Sequence, residues 1–206
     1  MADRERTVVK LSGRVFSDDT GVEIKKYAKL LVEISDKVQP VAVAGGGKIA
    51  RHYIDIARRF GLDEASLDIM GILVSRLNAG LLIAALGDRA YQSVPEDLEQ
   101  MTHAAATGKI VVTGGLHPGQ STNATAALIA EKVNATKFVN ATDVEGIYDS
   151  DPRSDRRAKL FKEISVKQCL VLLGGENSMA GGYDLMDIVA LKVLERSKIP
   201  TWVIKS

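Results

Sequence analysis

Residues 41–51 read VAVAGGGKIAR: Val41, Ala42, Val43 and Ala44 run into Gly45-Gly46-Gly47, and Lys48 and Arg51 follow. The four small or β-branched residues fit a buried strand, and the glycines can make the turn while leaving their amides uncovered. A helix starting at about Lys48 aims its unbonded N–H groups and the positive end of its dipole at that turn. An anion, above all a phosphate, suits such a place, although ordinary Gly-rich turns between strand and helix share the pattern. The rest of the chain has to decide between the two, and whose phosphate it is.

Outward from this turn, apolar runs of strand length alternate with segments of helical period. Strands are predicted at residues 7–11, 41–44, 109–113, 137–141 and 201–204, with a further one at 159–164 and a short one within 88–94. Thr20 is expected to cap a helix carrying Ile24, Tyr27, Ala28, Leu31 and Ile34 on one face, and Pro40 to end the connection after it. Helices are also predicted from about 48 to 60, stopped by Gly61, and over 64–86, 95–106 with Pro95 in the first turn, 121–133, 166–173 and 185–196. Residues 174–182 read as a loop. Strands alternating with helices give an α/β fold, a three-layer sandwich with a central, mostly parallel sheet. Ligands of such sheets sit beyond the carboxyl ends of the strands. Ser12-Gly13, Gly45 to Gly47, Gly114-Gly115 and Thr142-Asp143 all fall there, and four such loops on one edge say more than any one of them.

Totals narrow the classes. The 206 residues make one domain, 46% apolar and 26% charged, with a formal net charge of +1 and both signs interspersed. That balance offers no basic footprint for nucleic acid, and 5% aromatic residues offer little surface for stacking bases. The lone Cys169 excludes an internal disulfide framework and suits a reducing cytoplasm. The N-terminal residues lack an apolar signal core. The most lipid-like stretch, 69–86, is interrupted by Arg76 and Asn78, so it is read as a buried helix rather than a membrane span. Asp68, Arg76 and Asn78 on that helix then require partners.

Two familiar phosphate motifs compete for the glycine run. A Walker A loop fails, because Lys48 is followed by Ile49 and Ala42 stands at the first glycine. Gly45 to Ala50 does satisfy G-x-G-x-x-A, with Asp63 or Asp68 at the distance of a ribose-binding carboxylate, so a nicotinamide-dependent dehydrogenase is a competing reading. It leaves the first and third loops unexplained. His52, His103 and His117 lack metal-ligand spacing. Phosphoryl transfer needs a cation on the moving group, amides around it and alignment, and little covalent help. Lys10, the Gly45 to Gly47 amides and Arg51 supply those parts, although Lys10 alone could be an edge-strand lysine and Arg51 a surface arginine.

Six blocks carry a resemblance: VVKLSG (8–13), VAVAGGGKIAR (41–51), DIMGILVSRLNA (68–79), VVTGGLHPGQSTNATAALIAE (111–131), ATDVEGIYDSDPR (141–153) and AGGYDLMDIVALKVLERSKI (180–199). In these the sequence resembles the uridylate (UMP) kinases of the amino-acid-kinase fold, particularly the short archaeal type. The resemblance implies transfer of a phosphoryl group from ATP to UMP, with Mg²⁺ carried by ATP and no metal-binding side chains, in a cytoplasmic homohexamer serving pyrimidine biosynthesis. It implies an acceptor side mainly within residues 1–135 and an ATP side mainly within 136–206. By position, Lys10 and Arg51 would be catalytic. Lys10, Leu11, Ser12, Gly13, Arg14, Gly47, Arg51, Thr142, Tyr148 and Asp151 would bind ATP. Gly46, Asp68, Leu116, His117, Pro118, Gly119, Gln120, Ser121 and Thr122 would bind UMP, Asp68 through the ribose, with Gly46 and Gly47 facing different nucleotides.

Three departures stand out. Asn123 replaces an Asp that many relatives carry. Thr142 stands where bacterial relatives have a lysine, which leaves Lys10 as the main cation. Many relatives continue past the closing strand, whereas this sequence stops at Ser206. Kinases of the same fold with another small phosphate or carboxylate acceptor, and a non-catalytic nucleotide-binding protein, are the remaining alternatives. The helix at 64–86 is a candidate interface element.

Overall fold

A computed structural model of the chain describes residues 4–17, 19–150, 152, 155–174 and 186–206. Among them, five strands form one sheet: β1 (Arg6–Leu11), β2 (Gln39–Ala44), β3 (Val111–Thr113), β4 (Lys137–Thr142) and β5 (Thr201–Lys205). Their order is β3-β2-β1-β4-β5 and every pairing is parallel. The helices are α1 (Val22–Ile34), α2 (Gly47–Arg59), α3 (Glu64–Leu86), α4 (Leu98–Ala106), α5 (Thr122–Lys132), α6 (Val166–Gly174) and α7 (Ile188–Ser197).

Alternation along each strand sorts the core into two layers. Val8, Val41, Val43, Val111 and Phe138 pack with Met101 of α4, Ile129 of α5, Cys169 of α6 and Leu194 of α7. Leu11, Ala42, Ala44, Val112 and Ala141 pack with Leu31 of α1 and with Ala79, Leu82 and Leu86 of α3. The predicted three-layer sandwich is therefore present, and β2, buried at every residue, is its spine. Burial pushes the Cys169 thiol pKa up, so it is a packed thiol rather than a nucleophile.

Several local expectations shift. Thr20 is not the N-cap of α1; Gly21 takes that place at φ 69°, while the Thr20 hydroxyl accepts from the Val22 amide at 3.4 Å. Pro40 lies inside β2 opposite Thr7, because the sheet draws its bonds at that point from Gln39, whose amide donates to the Glu5 carbonyl. Pro95 precedes α4 instead of opening it. Asp97 is the cap, accepting from the Gln100 amide at 2.7 Å, and that bond holds its carboxyl below the usual range. Residues 88–94 supply only one bridge, Ala90 to Ile110, and 159–164 only one, Tyr148 to Leu160.

The largest correction concerns α3. Its limits are those predicted, but it is not buried throughout: Ile69, Leu73, Leu77 and Leu81, four residues apart, form an exposed stripe. By length and composition α3 could cross a membrane, with a mean hydropathy of 1.9 in its most apolar window. Its other face instead packs on the sheet beside α1, so it is one layer of the sandwich.

Candidate active site

Because every strand is parallel, the loops after them line up along one edge in strand order: Gly114-Gly115, Gly45 to Gly47, Ser12-Gly13, then Thr142-Asp143. From β1 the chain runs through β2 to β3 on one side, and from β4 to β5 on the other, which makes the β1/β4 boundary the topological switch point where ligands of such sheets bind. Arg14 and Asp143 span it with an ion pair of 3.0 Å.

The loops after β1 and β2 touch backbone to backbone. A Cβ on Gly13 would sit 2.1 Å from the Gly47 nitrogen, and one on Gly47 would sit 2.3 Å from the Gly13 carbonyl oxygen. Gly47 also has φ +67°, a left-handed conformation that disfavours any side chain. A Cβ on Gly46 would instead meet the Ala50 Cβ at 2.5 Å, with the Gly71 carbonyl of α3 at 3.4 Å. The two neighbouring glycines therefore face different parts of the site. This packing accounts for the G-x-G-x-x-A pattern without a dinucleotide.

Lys10 lies one residue before the end of β1. Its register partners are Val43 and Asn140, and Val43 pairs in turn with Thr113, so the lysine stands in the row that faces α5 and α7. It is half-buried. Leu11 is in the core and its carbonyl accepts from the Gly45 amide, so only its backbone borders the edge. Ser12 caps a 3-10 turn, accepting from the Arg14 amide at 3.3 Å. Beside it, α2 has no side-chain cap at its N-terminus, whereas α3, α4, α5 and α7 each have one. Arg51, in its first turns, is exposed and has no hydrogen-bond or ion-pair partner among the described residues. Uncapped amides and an unpaired cation on one helix end are what an anion requires.

The polar residues of α3 hold the loops after β2 and β3. Asn78, 2% exposed, donates to the Gly45 carbonyl at 2.8 Å. The Ser75 hydroxyl accepts from the Gly115 amide at 2.8 Å, and Arg76 donates to the Gly115 carbonyl at 3.1 Å while pairing with Glu96 at 2.7 Å. Glycine is required at 114, where a Cβ would lie 2.6 Å from the α3 backbone. Asp68 is exposed rather than buried, and its Oδ2 accepts from the Gly119 amide at 2.7 Å. In the loop itself Leu116 is buried, His117, Pro118 and Gly119 are exposed, and Gln120 Oε1 is a buried acceptor with no partner among the described residues. Ser121 caps α5, accepting from the Ala124 amide at 3.0 Å, and Thr122 opens that helix half-buried.

Thr142 is 9% exposed and its hydroxyl donates to Asp143 at 3.2 Å; its carbonyl accepts from the Ser206 amide. Tyr148, half-buried, bridges to Leu160. Asp151 lies outside the described residues. No group of three or more His, Cys, Asp or Glu residues that could hold a metal occurs among the described residues. One feature was not foreseen: a cleft of about 560 Å³ beside β5, lined by Gly146, Ile147, Leu160, Phe161 and Trp202. It is formed by residues far apart in sequence, and no local pattern announces it.

Fold and edge together define an α/β protein with glycine-rich loops along the carboxyl edge of a parallel sheet. The chain belongs to the amino acid kinase family, whose model matches residues 5–205. It is 46% identical over 197 residues to the uridylate kinase of Methanospirillum hungatei, covering 95% of this chain and 84% of that one. To the uridylate kinase of Sulfolobus acidocaldarius it is 42% identical, covering 97% and 88%. The crystal structure of uridylate kinase from Archaeoglobus fulgidus superposes with a TM-score of 0.88 at 38% identity, covering 97% and 90%. UMP kinase from Ureaplasma parvum shares the fold, with a TM-score of 0.80 at 23% identity.

Proposed function

We propose that the protein is a UMP kinase, which transfers the γ-phosphoryl group of ATP to the phosphate of UMP and releases UDP and ADP. An oxygen of the UMP phosphate attacks the γ-phosphorus in line, and the bond to the β,γ-bridging oxygen breaks. The observation that carries this reading is the seam of Gly13 against Gly47, flanked by Lys10 and the unpaired Arg51. In this reading a cation, free amides and a second cation serve one point between two loop systems, as transfer between two phosphates requires. The dehydrogenase alternative loses its support, because backbone packing explains the glycine pattern.

Lys10 neutralises the transferring group, and Arg51 holds the phosphates on either side of it. Ser12, Gly13, Arg14, Gly47 and the backbone of Leu11 border the ATP phosphates; Thr142, Tyr148 and Asp151 lie toward its nucleoside. Gly46 and residues 116–122 receive UMP, with Asp68 Oδ1 left to accept from its ribose hydroxyls. The acceptor side is then mainly residues 1–135 and the ATP side mainly 136–206. Mg²⁺ would enter as an ion carried by the triphosphate, where it would offset the phosphate charge. The exposed stripe of α3, with Leu73 at 53% and Leu77 at 66% exposure, supports a homo-oligomer, a homohexamer in this reading, working in pyrimidine biosynthesis in the cytoplasm.

An acceptor panel with ATP and Mg²⁺ tests the reading: UMP, CMP, isopentenyl phosphate, glutamate and aspartate. Phosphorylation of UMP well above the others is expected, and no turnover of UMP would overturn it.

A further inference from the structure

Two helix caps meet beside the acceptor loop. Asp187 caps α7, its Oδ1 accepting from the Ala190 amide at 2.9 Å. Ser121 caps α5, its Oγ accepting from the Ala124 amide at 3.0 Å. The Ser121 hydroxyl donates to Asp187 Oδ2. One chain of bonds therefore runs from the α5 amide through the serine to the carboxylate and on to the α7 amide. At their far ends the same two helices are clasped by Arg196 and Glu131, with contacts of 2.9 and 2.6 Å. The helices consequently run parallel, and parallel helices set two positive dipole ends side by side. A carboxylate between those ends offsets both.

The link has a second consequence. Two residues before Ser121, the Gly119 amide is tied to Asp68 on α3, on the opposite face of the sheet. Carboxylates from both outer layers thus grip the loop at Gly119 and Ser121. Gln120, with its buried and unpartnered Oε1, is held between them. The Ser121 hydroxyl is committed within the protein, since it donates to Asp187 and accepts from the Ala124 amide.

We propose that Asp187 is a positioning residue for the acceptor loop: acting through Ser121, it sets where residues 116–122 stand relative to α7, and so how well they receive UMP. This rests on the UMP kinase reading. Without the link, α5 and its loop still fold, but the loop is held from the α3 side alone.

The test is a double-mutant cycle of Asp187→Ala and Ser121→Ala, with Asp187→Asn as the conservative variant and Asp97→Ala as a control that removes the cap of α4. Steady-state KM for UMP and for ATP, kcat and Tm are measured for each. Each single substitution in the pair is expected to raise KM for UMP about tenfold, leaving KM for ATP within about twofold. The double variant should be no worse than the worse single one, because both break the same link. Asp187→Asn can still accept from Ala190 and reach Ser121, and should recover most of the affinity. Asp97→Ala should lower Tm without moving KM for UMP. If the wild type turns over UMP but the UMP KM stays unchanged in both single variants, the positioning role is overturned and the kinase reading stands. Additive effects, or an equal rise in KM for ATP, would also overturn it. If the wild type does not phosphorylate UMP, both readings fall.

Discussion

The two halves of the carboxyl edge are built differently. On the β2/β3 side, one helix reaches up with Asp68, Ser75, Arg76 and Asn78 and bonds to the backbone of Gly45, Gly115 and Gly119. On the β4/β5 side, the described contacts include backbone bonds such as Ser206 to Thr142, the cap-like bond from the Lys159 amide to Asp149, a buried bond from Asn140 to the Met186 sulfur, and surface ion pairs such as Arg14–Asp143 and Lys205–Glu145. The difference lies in what the buried side chains hold: loop backbone from Ser75 and Asn78 on the first side, another side chain from Asn140 on the second. A partly or fully buried polar side chain holding a loop carbonyl cannot be lost without stranding its partner, whereas an exposed pair is replaced by water. The β2/β3 loops, the acceptor side in the proposed reading, are therefore held in place by α3, and on that reading the ATP side leaves more of its ordering to the nucleotide.

Lys10, on the central strand where the halves meet, gives the steepest test. Lys10→Ala should lower kcat about 10³-fold, the scale seen when a preorganised donor to developing charge is removed. KM for UMP should change little, because the lysine meets the moving group and not the acceptor. Single-turnover assays with saturating UMP and ATP would separate the two, and near-wild-type turnover would remove the seam from the chemistry.

Asn78 probes the acceptor half directly. Asn78→Ala strands the Gly45 carbonyl in a buried position and should cost about 1–3 kcal/mol by urea unfolding. Activity should fall with stability, because Gly45 leads into the turn that touches Gly13. A loss under about 0.5 kcal/mol would mean that α3 merely leans on the loops.

Asp68→Asn comes next. Asparagine can still accept from the Gly119 amide, so the loop keeps its anchor and only the charge offered to the ribose is lost. KM for UMP should rise about tenfold with KM for ATP unchanged, a shift of about 1.4 kcal/mol in acceptor binding. An effect on ATP alone would place Asp68 on the other half.

This contrast also explains what could be read from the sequence. Residues 64–86 carry their own punctuation, with Asp63 as cap and Gly87 as stop, and the helix has the predicted limits. That the glycine loops share one edge follows from strand–helix alternation; their order along it required the sheet topology. What could not be read was which side of α3 faces water, because leucines at 73, 77 and 81 look like core residues until the sheet claims the opposite face. Asp68 was misplaced inside for the same reason. Pro95 suggested a helix start, yet its carbonyl is needed as an acceptor for the Thr113 hydroxyl at 2.7 Å, which keeps it in the preceding connection. The Ser121–Asp187 link joins residues 66 positions apart and had no local signal. At Ser12 and Gly13 the motif located the loop, but its contact with Gly47 emerged only with the fold.

The smallest effect should come from the ATP half. The Arg14–Asp143 pair crosses the switch point at 3.0 Å, but the arginine side chain is 64% exposed and that of the aspartate 24%. Exposed pairs of this kind contribute about 0.2–1 kcal/mol and weaken with salt. Arg14→Ala should lower the Tm of the unliganded protein by about 1–3 °C in dilute buffer, and by less in about 1 M salt. Measuring without nucleotide keeps the proposed ATP contact of Arg14 out of the result. A loss as large as that of Asn78→Ala, unaffected by salt, would break the comparison. It would mean that the β4 side is fixed by a buried network as firmly as α3 fixes the acceptor side.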